Sequence, residues 1–310
     1  MSIDSTGVLS DDELAILKTV LYASVFDYPL TLEELHSNLL EATLPRETIL
    51  TEYRSSEALQ KIIEFREGFF FPDDRFNLVA KRQQRQLASR NLLDGNRWIL
   101  KLICAIPNTQ LVALSGSAAH GNAELDSDID LFIVTRKGCV WGVAVSALLL
   151  TKILGYRRML CCNLVLSESR LKIDQEDLFT ANQIAHLKPL VGYQTYLRFL
   201  AANSFVEEHY PNLIPLPSCL DGYRPALILQ SAKAVLEIFF SLGIRQLLEF
   251  VCRECYSRYL RTRSSQWSSP DQVVLERDHL KLHTETHRNW VMEKFQRKLS
   301  SACARISPQG

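Results

Sequence analysis

Two aspartates flank a single apolar residue in Asp128-Ile129-Asp130, and the apolar run Leu131-Phe132-Ile133-Val134 follows them. Residues two apart in a strand share a face, so both carboxylates are expected to point the same way. Adjacent carboxylates repel unless a cation neutralises them, and paired oxygen ligands suit Mg²⁺. Upstream, Gly116-Ser117 stands where the apolar strand Leu111 to Leu114 gives way to an expected helical turn. Glycine there lets a phosphate approach the backbone, the following N–H groups favour an anion, and the Ser117 hydroxyl adds a donor. Gly121 can then turn the chain back. A triphosphate beside Gly116 and Ser117 would complete the metal's oxygen shell, which is the arrangement for metal-assisted nucleotidyl transfer with two ions.

The pattern Gly116-Ser117, ten residues, then Asp128-Ile129-Asp130 with Ser127 before it resembles the nucleotidyltransferase superfamily, which includes DNA polymerase beta and the minimal nucleotidyltransferases. The resemblance covers roughly residues 100–167. It implies a short mixed sheet, Mg²⁺ (two ions with bound NTP) at Asp128 and Asp130, and NTP phosphates at Gly116 and Ser117. The flanking organisation is similar to uncharacterised bacterial proteins that carry such a domain behind a winged-helix-like N-terminus. Members that catalyse transfer usually carry a third carboxylate on a later strand. The corresponding stretch here, Met159 to Leu166, holds no acid, and Asn163 is its strongly polar residue. An amide carbonyl can ligate Mg²⁺, so Asn163 is a candidate third ligand, but it accepts no proton at neutral pH. Either Glu168 reaches in from beyond the strand, or the domain binds nucleotide and turns over slowly or not at all.

Other polar groups are weaker candidates. Glu124 and Asp126 fall in the loop before the acid pair and are expected in solvent. His120 faces the phosphates or solvent. His279, His283 and His287 are spaced by four, as on one helix face, although Leu280-Lys281-Leu282 also alternates like a strand; ordinary hydrogen-bonding histidines are favoured. Cys252 and Cys255 form one CxxC without further ligands at zinc spacing and read as packing thiols. Arg258, Arg261 and Arg263 suit a helix C-terminus.

These residues need a scaffold, and the elements around them are legible. Ser10 with Glu13, and Thr31 with Glu34, have capping-box spacing ahead of two amphipathic helices. A third helix is expected from Pro45 to Leu59, then a hairpin of Ile62 to Phe65 and Phe69 to Phe71 around Arg66-Glu67-Gly68. This is the order of a winged helix. Its third helix offers Arg46 and Arg54 against Glu47, Glu52 and Glu57, a poor face for neutralising phosphates, so a structural module is preferred over a DNA reader. One long helix is expected from Asn77 to Ile106, with a basic stripe (Lys81, Arg82, Arg85, Arg90, Arg97, Lys101) read as a solvated face. A strand (Asp130 to Thr135), an apolar helix (Val140 to Leu154) and another strand (Met159 to Leu166) complete the core. Beyond it, Thr180 caps a helix that Pro189 ends, Gly192 to Ala202 continues, Ala226 to Arg261 is helical with a break at Gly243, and Glu285 to Leu299 closes the chain.

The expected fold is therefore an α/β (α+β) nucleotidyltransferase domain with a short mixed sheet, flanked by a winged-helix-like module and a mostly helical C-terminal region. The expected divisions are 1–76, 77–170 with its lead-in helix, and 171–310. Composition agrees with a folded chain of this size: 310 residues, 47% apolar and 23% charged, exclude a disordered tail or a small disulfide-stapled domain. Charge is balanced overall (35 basic, 35 acidic), which argues against nucleic acid as the main partner. The polar start lacks the order of a secretory signal, and eight scattered cysteines suit a reducing cytoplasm. The apolar run Cys139 to Leu150 is too short to span a bilayer, so no membrane partner is expected. The reading that follows is Mg-dependent transfer of an NMP group from an NTP, ATP among the candidates, to an unidentified hydroxyl acceptor. The alternatives are a nucleotide-sensing DNA-binding regulator with a degenerate transferase domain, or an antitoxin-like enzyme that adds AMP to a partner protein.

Overall fold

The computed structural model describes residues 9–72, 77–241, 243–270, 273–282 and 287–306. Both capping boxes form as the spacing predicts. Ser10 Oγ accepts the Glu13 N–H while the Glu13 carboxylate accepts the Ser10 N–H, starting α1 (Asp11–Val25). Thr31 and Glu34 repeat the device between β1 (Leu30–Thr31) and α2 (Leu32–Ser37). The third expected helix is two: α3 (Arg46–Ser55) and α4 (Glu57–Gln60). Ser56 is extended (φ −95°, ψ 105°) and its hydroxyl accepts the Leu59 N–H, so it ends one helix and caps the next. The hairpin follows as β2 (Ile63–Arg66) and β3 (Phe69–Pro72), with Glu67 and Gly68 both at positive φ in a two-residue turn. The three strands order as β1-β3-β2.

The expected long helix also divides, into α5 (Leu78–Gly95) and α6 (Arg97–Cys104), because Asn96 leaves the helical region behind Gly95 and turns its amide to the Leu92 carbonyl. The basic stripe is a solvated face only in part: Arg90 and Arg97 are exposed, whereas Lys81, Arg82 and Arg85 turn inward. Arg82 is buried and donates two 2.7 Å hydrogen bonds to the Glu34 carboxylate and another to the Pro29 carbonyl. Lys81 pairs with Asp27 at 2.6 Å, and Arg85 bonds the Phe26 carbonyl and Glu124. These side chains bolt α5 to the N-terminal unit.

The central sheet begins with β4 (Thr109–Ser115), the short α7 (Gly116–His120) and β5 (Ile129–Thr135). Next come α8 (Val140–Ile153), β6 (Leu160–Ser167), α9 (Leu178–Ala185) and β7 (Lys188–Val191). The C-terminal part adds α10 (Tyr193–Ala202), α11 (Phe205–His209), α12 (Leu227–Ser241), α13 (Ile244–Arg261), β8 (Val273–Leu275), β9 (His279–Leu282) and α14 (Arg288–Ile306). Strand order is β7-β4-β5-β6-β9-β8, with β5 and β6 parallel and the other pairs antiparallel.

Three local expectations are corrected here. Asp177, not Thr180, caps α9, its carboxylate accepting the Thr180 N–H. Pro189 does not merely end a helix; it sits in β7, an edge strand where a missing N–H is tolerated. Most of the region beyond 170 is helical, and three short strands from it, β7, β8 and β9, join the sheet. His279 lies in β9 and His287 just ahead of α14, so they share no helix face, and His283 lies outside the described residues.

Alternation along the strands serves two cores. Leu111, Ala113, Phe132 and Val134 face a core shared with α1, α9, α10 and α14, whereas Val112, Leu114, Leu131 and Ile133 face α6 and α8. From α13, Glu249 reaches back to accept the Trp141 and Gly142 N–H groups at the start of α8. Among the described residues no single helix is long and apolar enough to cross a membrane; α12 and α13 meet that test only as a pair bent by 94°.

Candidate active site

Asp130 lies opposite Ser115 in the antiparallel β4–β5 pair, and the chain after Ser115 turns at Gly116 with φ +62°. A Cβ on Gly116 would overlap the Asp130 carboxylate, so the glycine is required both for the turn and for the close approach. Ser117 and His120 follow in α7, and Gly121 closes it in the left-handed region. The loop then returns through an exposed Asp126 to Asp128.

Asp130 has the parity of Phe132 and Val134, so it opens on the sheet face that packs against the N-terminal unit. The Asp128 and Asp130 carboxylates meet there, and Cys161 Sγ from β6 joins them, all three ligand atoms lying within 4.8 Å of one another. Asn163 arrives on the same group: its Nδ2 donates to Asp130 Oδ1 at 2.6 Å. Sequence reasoning found Asn163 but not Cys161. Between Asp130 and Phe132 the β5–β6 register shifts, so that Leu131 alone stands against Cys162 and Asn163. That bulge carries Cys161 and Asn163 to the same side as Leu164 and Leu166, which strict alternation would not do.

Burial, then the neighbouring Asp128 carboxylate, raises Asp130 to about 7, although the Asn163 hydrogen bond pulls the other way. Burial, then the Asp128 and Asp130 carboxylates, pushes the Cys161 thiol up to about 11. At neutral pH it is a thiol and accepts no proton. Two converging carboxylates with one strained towards protonation are a donor set that a hard divalent cation would relieve. Glu168 is not part of it. Residue 167 pairs with Thr135 at the far end of β5, Glu168 accepts the Lys137 N–H, and about seven strand residues, roughly 20 Å, separate it from the pair.

On the other side of Gly116 and Ser117 a partly open cleft of about 160 Å³ runs under α1, and His120 lines it instead of facing solvent. Its ring stacks on His186 from α9, with centroids 4.1 Å apart. Cys252 and Cys255 are unpaired thiols on α13, the first packed against the α6–α8 core and the second exposed.

Residues 97–211, a little over a third of the chain, match the nucleotidyltransferase domain family. The match spans α6 to α11 and so includes Gly116, Ser117, Asp128, Asp130, Cys161 and Asn163; it leaves out β8 and β9, which extend the sheet, and the N-terminal unit that roofs the cleft. Neither a curated protein nor a solved structure gives a match to the chain.

Proposed function

We propose that this chain is a metal-dependent nucleotidyltransferase that moves an NMP group from an NTP to a hydroxyl-bearing acceptor, with pyrophosphate leaving. The observation that carries this is the convergence of Asp128 and Asp130 directly against Gly116, within a segment of nucleotidyltransferase type. Asp128 and Asp130 would hold Mg²⁺, which would supply charge neutralisation for the triphosphate. Gly116 offers a backbone that a phosphate can approach closely, and Ser117 offers a hydroxyl donor. Asn163 fixes Asp130 through its amide hydrogen bond and can turn its carbonyl to the metal. In this reading 77–170 carries the chemistry, 1–76 is a winged-helix-type packing module, and 171–310 shapes the acceptor side. Eight thiols without a disulfide fit a reducing cytoplasm.

The test is incubation of the full chain with α-labelled NTPs and Mg²⁺, using small hydroxylic compounds and co-purified proteins as acceptors. Transfer is expected for the unaltered chain and is expected to be lost in Asp128→Asn and Asp130→Asn. Transfer that survives both substitutions would remove the assignment. Label on a co-purified protein, read by intact mass, would identify the protein-modifying form.

A second reading has its own support. No third carboxylate joins the pair among the described residues; Cys161 and Asn163 occupy that flank, and neither accepts a proton at neutral pH. This favours a nucleotide-binding regulator that turns over slowly. DNA is the weaker partner for it, because Arg46 on α3 is drawn to Glu33 and Glu47. Tight Mg–NTP binding without release of pyrophosphate would select it.

A further inference from the structure

The cleft beside Gly116 and Ser117 is built from three distant parts of the chain: α1, α7 and α9 with Tyr210. None of the residues lining it carries a formal charge at neutral pH. The two candidates, His120 and His186, are held neutral by burial, reinforced for His120 by the neighbouring ring and for both by Lys188. The walls are aromatic and amide in character. Two polar atoms in these walls are buried yet unsatisfied among the described residues: Tyr22 Oη and Asn182 Oδ1. Tyr22 is 3% exposed and Asn182 7%, so bulk water does not serve them. Asn182 is already oriented, since its Nδ2 donates to the Tyr210 hydroxyl at 2.9 Å, which leaves Oδ1 as a fixed, unused acceptor. Buried polar groups in folded proteins are almost always paired, and a pair of orphans in one cleft calls for a partner that enters it.

We propose that this cleft binds a flat, uncharged ring that presents an N–H or O–H donor to Asn182 Oδ1 and a hydrogen-bonding group to the Tyr22 hydroxyl. A cavity of about 160 Å³ is close to the size that accommodates a single benzene-sized ring. The absence of charge in the lining disfavours polycations and nucleic acid strands. Two sources offer such a ring: a pyrimidine nucleoside, or a phenol- or amide-bearing acceptor. That the cleft is a subsite of the transferase rests on the function proposed above; the ring chemistry rests on the cleft alone.

The test is calorimetric titration of the full chain with uridine, cytidine, phenol and benzamide, without metal. At least one is expected to bind, and its affinity to fall about tenfold or more in Asn182→Leu and in Ala23→Leu, which fills the cleft from α1. Tyr22→Phe removes only the hydroxyl and guards against loss of fold; it should weaken binding and leave the melting temperature near its starting value. Binding of the nucleosides alone assigns the ring to the nucleotide, and binding of phenol or benzamide alone assigns it to the acceptor. Failure of all four to bind, or binding unchanged by Ala23→Leu and Tyr22→Phe, overturns the proposal. Inorganic tripolyphosphate with Mg²⁺, titrated into the same samples, reads the phosphate site separately. Ring binding without tripolyphosphate binding would overturn the transferase reading alone.

Discussion

Asp130 is the residue on which the site turns, because it is squeezed by Gly116 from one side, Asp128 from another and Asn163 from β6. Its pKa of about 7 in the metal-free fold, against 3.8 for an unperturbed Asp, means that the native chain holds a proton which the unfolded chain releases between those values. Metal-free stability should therefore fall as pH rises from about 4 to about 7, and this slope should shrink in Asp130→Asn. Denaturant melts of both proteins across that range check the sign; identical pH profiles would contradict it. By the same linkage, Mg²⁺ must displace the proton, so its apparent affinity should drop below pH 7. Gly116→Ala places a Cβ at positive φ against the Asp130 carboxylate. It should cost roughly 1–3 kcal/mol of stability and weaken Mg²⁺ binding by about tenfold or more, read by thermal melts and metal titration. Gly116, Ser117, Asp128 and Asp130 were legible because they lie within fifteen residues of one another. Cys161 was not, since a bulge placed it. Tyr22, Asn182 and Tyr210 carry no local signal, because the chain brings them together across nearly two hundred residues.

At the level of elements, the two capping boxes, the hairpin and the break at Gly243 (φ +102°) could be read directly, each being a short-range rule obeyed by consecutive residues. The divided helices could not: Ser56 and Asn96 compete for the backbone with their own side chains inside otherwise helical stretches. The short strands β7 and β9 were obscured by Pro189 and by histidines at helical spacing. The inward turn of Lys81, Arg82 and Arg85 has no local signal, since Glu124 lies beyond α7 and Asp27 and Glu34 lie in the preceding unit. The Arg82–Glu34 pair holds α5 there, and its guanidinium, with other hydrogen bonds, keeps the Glu34 carboxyl below its usual range in spite of burial. Arg82→Ala leaves the Glu34 carboxylate without its countercharge and should destabilise the fold by about 3 kcal/mol, measured by chemical denaturation. A change below about 1 kcal/mol would show that the pair is surface-like.

Across the whole molecule, the N-terminal unit, one face of the sheet and the C-terminal α14 share a single core. Ile16, Leu17, Phe132, Tyr196, Phe295 and Leu299 belong to it together. Segments at opposite ends of the chain therefore stabilise the face on which the acid pair and the cleft open. Unfolding should be one cooperative transition when followed by tryptophan emission and by far-ultraviolet circular dichroism, and Phe295→Ala, a deletion in α14, should lower it as a whole by about 3–4 kcal/mol. Two separated transitions, with only one moved by Phe295→Ala, would contradict a shared core.

The most direct test of the central claim is calorimetric titration of the chain with ATP, CTP, GTP and UTP, in the presence and absence of Mg²⁺, for the unaltered protein and for Asp128→Asn/Asp130→Asn. The account predicts magnesium-dependent binding of at least one triphosphate by the unaltered chain, and its loss by at least a hundredfold in the double variant. Equal binding with and without Mg²⁺, or binding that the double variant retains, would contradict it.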